Sequence, residues 1–112
     1  MGRRLVRDRA ADTWRVPGAS YQLRPVDNDT EHRQLLMQKL VEEVGEVITA
    51  QNNPDMDRWN GELVAELGDV LSVIKAIATV NNITWQAVGD ASTARFIESG
   101  GFVEGVVWDT DR

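Results

Sequence analysis

The residues of this chain best suited to chemistry are six carboxylates in two sets: Glu42, Glu43 and Glu46, then Glu62, Glu66 and Asp69. At roughly 100° per helical residue the first set falls within an arc of about 100°, beside the apolar positions of its segment rather than opposite them. The second set is tighter, falling within an arc of about 60° alongside Val70, Val73 and Ile77, so its carboxylates point where the core points. An ionised carboxylate on a core-facing arc needs a cation or hydrogen-bond donors, because its unpaired burial is strongly unfavourable. Lys39 lies one turn before the first set on the same face, but one lysine cannot neutralise six carboxylates. A divalent cation can. Donor sets made only of oxygen suit Mg²⁺, with Mn²⁺ as a substitute, when waters and substrate phosphates complete the coordination. The plainer alternative, a solvated acidic helix face, accounts well for the first set. It accounts poorly for the second, whose acids interrupt an apolar face.

These side chains need two long helices to carry them. Asn28-Asp29-Thr30-Glu31 has the pattern of a helix N-cap with a capping-box glutamate, and Leu36, Leu40, Val44, Val47 and Ile48 recur at helical spacing up to about Gln51. Pro54-Asp55 marks the break, and a second helix is predicted from about Met56 to Val80. Asn81-Asn82 ends it, Thr84 caps a third from about Trp85 to Glu98, and Gly100-Gly101 stops that one. Residues 1–27, with Pro17, Gly18 and Pro25, read as an extended arm with at most a short strand at Leu5 to Arg7. Phe102 to Trp108 reads as a short strand or extended tail. The fold class is therefore all-α: an antiparallel helical hairpin plus a third helix, with short extended N- and C-terminal segments. One domain over 1–112 is expected, with an arm at 1–27, a helical core at 28–98 and a tail at 99–112.

With 112 residues the chain supports one modest core, and a four-helix-bundle-like core completed by oligomerisation, as a homodimer or homotetramer, is expected. The formal charge of −6 argues against a nucleic-acid duplex as partner. Without cysteine there is no disulfide framework and no thiolate metal site. The basic N-terminus lacks the apolar run of a signal peptide, and Glu66, Asp69 and Lys75 interrupt the most apolar stretch, Leu63 to Val80. A cytoplasmic protein with no membrane partner is expected.

Lys39-Leu40-Val41-Glu42-Glu43-Val44-Gly45-Glu46, followed by Ala65-Glu66-Leu67-Gly68-Asp69-Val70-Leu71, resembles the Glu-Glu-x-x-Glu and Glu-x-x-Asp signature of the MazG-like, all-α nucleoside triphosphate pyrophosphohydrolases. Arg4-Leu5-Val6-Arg7-Asp8-Arg9 and Gly100-Gly101-Phe102 are similar to the opening and close of a phosphoribosyl-ATP pyrophosphohydrolase-like branch. Ser99 and Ala10-Ala11-Asp12 depart from that branch's pattern. The resemblance implies cleavage between the α and β phosphates of a nucleotide, giving a monophosphate and pyrophosphate. By position it implies Glu43, Glu46, Glu66 and Asp69 as ligands of Mg²⁺. Each pair is three residues apart, which puts both carboxylates on adjacent turns of one face. Glu42 becomes the general base for the attacking water, or a ligand of a second ion.

Lys39 is the candidate phosphate contact and Trp59, one turn before Glu62, the candidate platform for a nucleobase. Trp14, Trp85 and Trp108 read as core or interface anchors, and Lys75 as solvent-exposed. Arg7 and Asp8 fit either a substrate contact or a subunit interface. The leading reading is a Mg²⁺-dependent hydrolase of nucleoside triphosphates. Phosphoribosyl-ATP hydrolysis in histidine biosynthesis uses the same carboxylates, and a non-catalytic acidic helical adaptor or regulator is the alternative of another class.

Overall fold

Helix α1 (Asp29–Gln51) begins where the sequence offers its first free amide hydrogens an acceptor. Asn28 is extended, and its side-chain oxygen accepts from the Glu31 N–H at 2.8 Å, a cap of about 1 kcal/mol. In the computed structural model, which describes residues 3–10, 23–53 and 56–109 (the backbone alone for 56–60), the reciprocal bond is displaced by one residue. Glu31 Oε1 accepts from the Asp27 N–H at 2.8 Å. The same carboxylate takes Arg3 at 2.7 Å and both Nη atoms of Arg24 at 3.0 and 2.9 Å, and the residue is only 8% exposed. It thereby fastens residue 3 of the arm and the segment before α1 to the helix start, where a negative charge also favours the helix dipole.

Helix α2 (Met56–Val80) returns along α1. Arg33, early in α1, donates to Asn81 Oδ1 just past the end of α2, whereas Glu46, late in α1, lies beside Glu66, early in α2. The two helices are therefore an antiparallel hairpin, as the sequence predicts. The Pro54-Asp55 break lies outside the described residues. Asn82, at φ +58, takes the left-handed conformation that stops α2. Helix α3 (Trp85–Ser99) starts on Thr84, whose Oγ1 accepts from the Ala87 N–H at 3.1 Å. It runs one residue further than expected, to Gly100 at φ +79, whose N–H donates to the Phe96 carbonyl. Among the described residues helix α3 packs on α2 and not on α1.

The seam between α1 and α2 has a seven-residue rhythm. Leu36, Glu43 and Ala50 are the buried α1 positions along it, and on α2 Glu66 precedes buried Val73 by the same seven residues. Both helices thus carry a glutamate at a seam position where a hydrophobe is the usual occupant. Val44 and Ile48, which periodicity places in the core stripe, are half-exposed instead. The reason is geometric: one partner helix covers only a narrow stripe. Met37, Val41, Val44 and Ile48 form a second stripe on α1, spaced four, three and four residues apart, roughly 130° around the helix from the seam. Val64, Leu67 and Leu71 repeat part of that spacing on α2. The radius of gyration, 17.9 Å, exceeds the roughly 13 Å of a compact chain of this length.

Among the described residues there is no strand. Residues 3–7 lie irregularly across the helices, and residues 102–109 form a tail without a ladder partner, with Trp108 87% exposed rather than an anchor within this chain. No helix among the described residues is long and apolar enough to cross a membrane.

The Glu31 carboxylate has a testable pH signature. Its partners, the Arg24 hydrogen bond first and the Asp27 N–H second, hold its pKa down to about 2 from an ordinary 4.5. A depressed folded value contributes stability that is complete above the unfolded pKa and lost as the pH falls through the folded one. The melting temperature of wild type should exceed that of Glu31→Gln at pH 7, and the difference should shrink between about pH 4.5 and pH 2. A difference that stays constant across that window contradicts the assignment.

Candidate metal centre

Spacing and topology together build the centre. Glu43 and Glu46 occupy consecutive turns of α1, Glu66 and Asp69 consecutive turns of α2, and the antiparallel hairpin sets the two pairs face to face. Each of the four offers a carboxylate oxygen, and these oxygens all lie within 4.8 Å of one another. Four of the six carboxylates singled out in the sequence therefore meet. Glu62 is exposed and outside the group. Glu42 stands at its edge, turned to cations: Arg4 Nη2 at 3.3 Å and Lys39 Nζ at 3.4 Å.

The electrostatics of this cluster are unfavourable without a cation. At separations of 4.8 Å or less and an effective dielectric constant of about 20, each fully ionised pair repels by about 3.5 kcal/mol or more. Glu43, 8% exposed, has its pKa raised by burial first and by Glu46 next, with Lys39 at 3.6 Å pulling the other way. Glu46 is raised by its contact with Glu66. Glu43 Oε2 and Glu66 Oε2 are buried with no hydrogen-bond partner, although a carboxylate oxygen out of water normally has one. Two orphaned acceptors, in a group of four hard oxygen donors, fit a divalent ion such as Mg²⁺ or Mn²⁺.

Lys39 lies where the sequence places it, bridging Glu42 and Glu43 with its side chain mostly covered. The side chain of Trp59 lies outside the described residues. Lys75 is exposed as expected and rests over the Trp85 ring, 5.3 Å from its centroid. Helical periodicity misses the contribution of the arm. Arg7 bonds Asp69 Oδ1, and Arg4 reaches Glu42, so two arginines from outside the hairpin join the acidic centre. The alternating charges of Arg4, Arg7, Asp8 and Arg9 are the sequence signal, but contact across 62 positions has no local pattern to betray it.

If these carboxylates hold a divalent ion, Mg²⁺ should raise the melting temperature, by the equivalent of about 2.7 kcal/mol at a hundredfold excess over its Kd. Glu46→Gln should do two opposite things: stabilise the metal-free protein by relieving repulsion, and abolish most of the Mg²⁺ response. A wild-type melting curve indifferent to millimolar-range Mg²⁺ and Mn²⁺ would count decisively against the centre.

Comparison with curated proteins and with solved structures finds no match. The family model described as the MazG nucleotide pyrophosphohydrolase domain matches residues 31–99. That stretch runs from Glu31 to the end of α3 and contains all four facing carboxylates. The chain belongs to the MazG nucleotide pyrophosphohydrolase domain family.

Proposed function

We propose that this protein is a Mg²⁺-dependent hydrolase of nucleoside triphosphates that releases a nucleoside monophosphate and pyrophosphate. The observation that carries this reading is the convergence of Glu43, Glu46, Glu66 and Asp69 with two buried oxygens left unpartnered, in a chain of a pyrophosphohydrolase family. Those four residues would hold the metal. Once bound, it supplies Lewis-acid polarisation of phosphate oxygens and offsets charge on the pyrophosphate leaving group.

The remaining roles fall to the chain's own side chains. Water adds to phosphorus, the bond between the α and β phosphates breaks, and the water's proton needs an acceptor. Glu42 is that acceptor in this reading, since it borders the four ligands without belonging to them and is partly open to solvent. Lys39, beside Glu42 and Glu43, meets the phosphate chain, and Trp59 takes the nucleobase. Incubation with Mg²⁺ and a panel of ribo- and deoxyribonucleoside triphosphates plus phosphoribosyl-ATP, assayed separately for pyrophosphate and orthophosphate, tests this. Pyrophosphate should appear, and Glu42→Gln should lower turnover by about a hundredfold to ten-thousandfold, the usual contribution of a general base. Orthophosphate alone, or turnover indifferent to Glu42→Gln and Glu66→Gln, is incompatible with it.

The working form in this reading is a homo-oligomer. The 4-3-4 stripe Met37, Val41, Val44 and Ile48, with Val64, Leu67 and Leu71 beside it, has the spacing by which helices pack into a bundle. A second hairpin of the same chain covers it and makes four helices. Light scattering should give a dimer or tetramer, and Val41→Glu should shift it towards monomer. A strictly monomeric wild type rules the assembly out.

A further inference from the structure

The arm's arginines do more than hold the arm down. Arg7 bonds Asp69 and Arg4 pairs with Glu42, yet both guanidinium side chains remain mostly in solvent, at 67% and 60% exposure. Exposed pairs of this kind contribute little to stability, so structural anchoring alone is a poor reason for them. Arg3, itself 70% exposed, already attaches the arm through the Glu31 carboxylate, whose side chain is 10% exposed. The charges are informative instead. Among the described residues, Glu42, Glu43, Glu46, Glu66 and Asp69 lie with Arg4, Arg7 and Lys39, more carboxylates than cations, which suits a divalent ion. Once an ion sits among the carboxylates, Arg7 no longer has an uncontested partner in Asp69. Arg7, the most exposed of these three cations, is then placed to meet an incoming polyphosphate.

We propose that Arg7, assisted by Arg4, is a phosphate-binding residue that passes from Asp69 to substrate phosphate oxygens when a divalent ion takes that carboxylate. The proposal rests on the reading of the site as a metal-dependent phosphoanhydride hydrolase. Both arginines precede residue 31, so they lie outside the matched family domain. Arginine is chemically suited to this role, because a guanidinium presents paired donors in the spacing of two phosphate oxygens and its charge-assisted bonds are the stronger kind. The ligand class is a diphosphate or triphosphate group, independent of the base.

Titration calorimetry on the full chain separates this role from a structural one, with two probes: Mg²⁺ alone, and inorganic pyrophosphate at saturating Mg²⁺. Arg7→Gln should weaken pyrophosphate binding by about tenfold or more. It should tighten Mg²⁺ binding or leave it unchanged, because the ion no longer competes with a guanidinium. Arg7→Lys should recover part of the pyrophosphate affinity, and Arg4→Gln should weaken it to a smaller degree. Melting temperatures within a degree or two of wild type establish that the variants are folded. Unchanged pyrophosphate affinity in Arg7→Gln overturns the proposal, as does a variant that loses Mg²⁺ affinity along with stability. A wild type that binds neither probe overturns the metal-site reading as well, whereas one that binds both, with Arg7→Gln indistinguishable from it, overturns this inference alone.

Discussion

Carboxylates facing carboxylates across a helical seam are the constraint around which this molecule is organised. Glu43 and Glu66 hold positions in the seven-residue rhythm of the α1–α2 contact that hydrophobes would ordinarily fill, and Glu46 and Asp69 crowd the same space. In an apolar contact every one of these charges is a liability. The surrounding features compensate for it: Lys39 one turn away, Arg4 and Arg7 brought in from the arm, and a cluster geometry that suits a divalent ion. The centre of the hairpin is given over to a concentration of negative charge held on helices, which position side chains more precisely than loops do.

That arrangement also explains the rest of the layout. Because part of the seam is acidic, the hairpin encloses little apolar core of its own: Leu36, Ala50, Val73 and Ala78 are buried, but among the described residues no large side chain is fully so. The apolar residues that would otherwise drive the fold lie on the outer stripes of α1 and α2 and on the tail. The N-terminal arm then acts as a counter-charge, carrying Arg3 to the helix start, Arg4 to Glu42 and Arg7 to Asp69.

Helix bounds and the facing acidic pairs are legible in the sequence because both follow from local periodicity and from caps. Asn28, Thr84, Asn82 and Gly100 act at the positions where their chemistry predicts a start or stop. Three-residue spacing and resemblance are enough to name the four clustered carboxylates. Two things are not legible. Which half of an apolar pattern faces the neighbouring helix is not encoded in the period, so periodicity turns Val44 and Ile48 inward although the seam runs through Leu36, Glu43 and Ala50. Contacts between the arm and the helices depend on tertiary geometry: the gathering of Arg3, Arg24 and the Asp27 N–H on Glu31 leaves no mark beyond a capping glutamate. Glu62 shares the arc of Glu66 and Asp69, yet it is exposed and falls outside the cluster.

The glutamates in the seam have a consequence for how the hairpin finds its alignment. A seven-residue repeat on two helices is ambiguous by nature, since sliding one helix by two turns presents another set of apolar side chains to the same neighbour. With a divalent ion shared across the seam the slide is punished. Moved by one repeat, Glu46 comes to lie opposite Val73 and Asp69 opposite Ala50, each charge among methyl groups and away from the carboxylates that could share its cation. Polar residues at such positions fix register in coiled helices at the expense of stability. The acids that meet at the seam therefore also bear on which turns of α1 and α2 face each other, so a cation bridging them would fix the pairing of the helices.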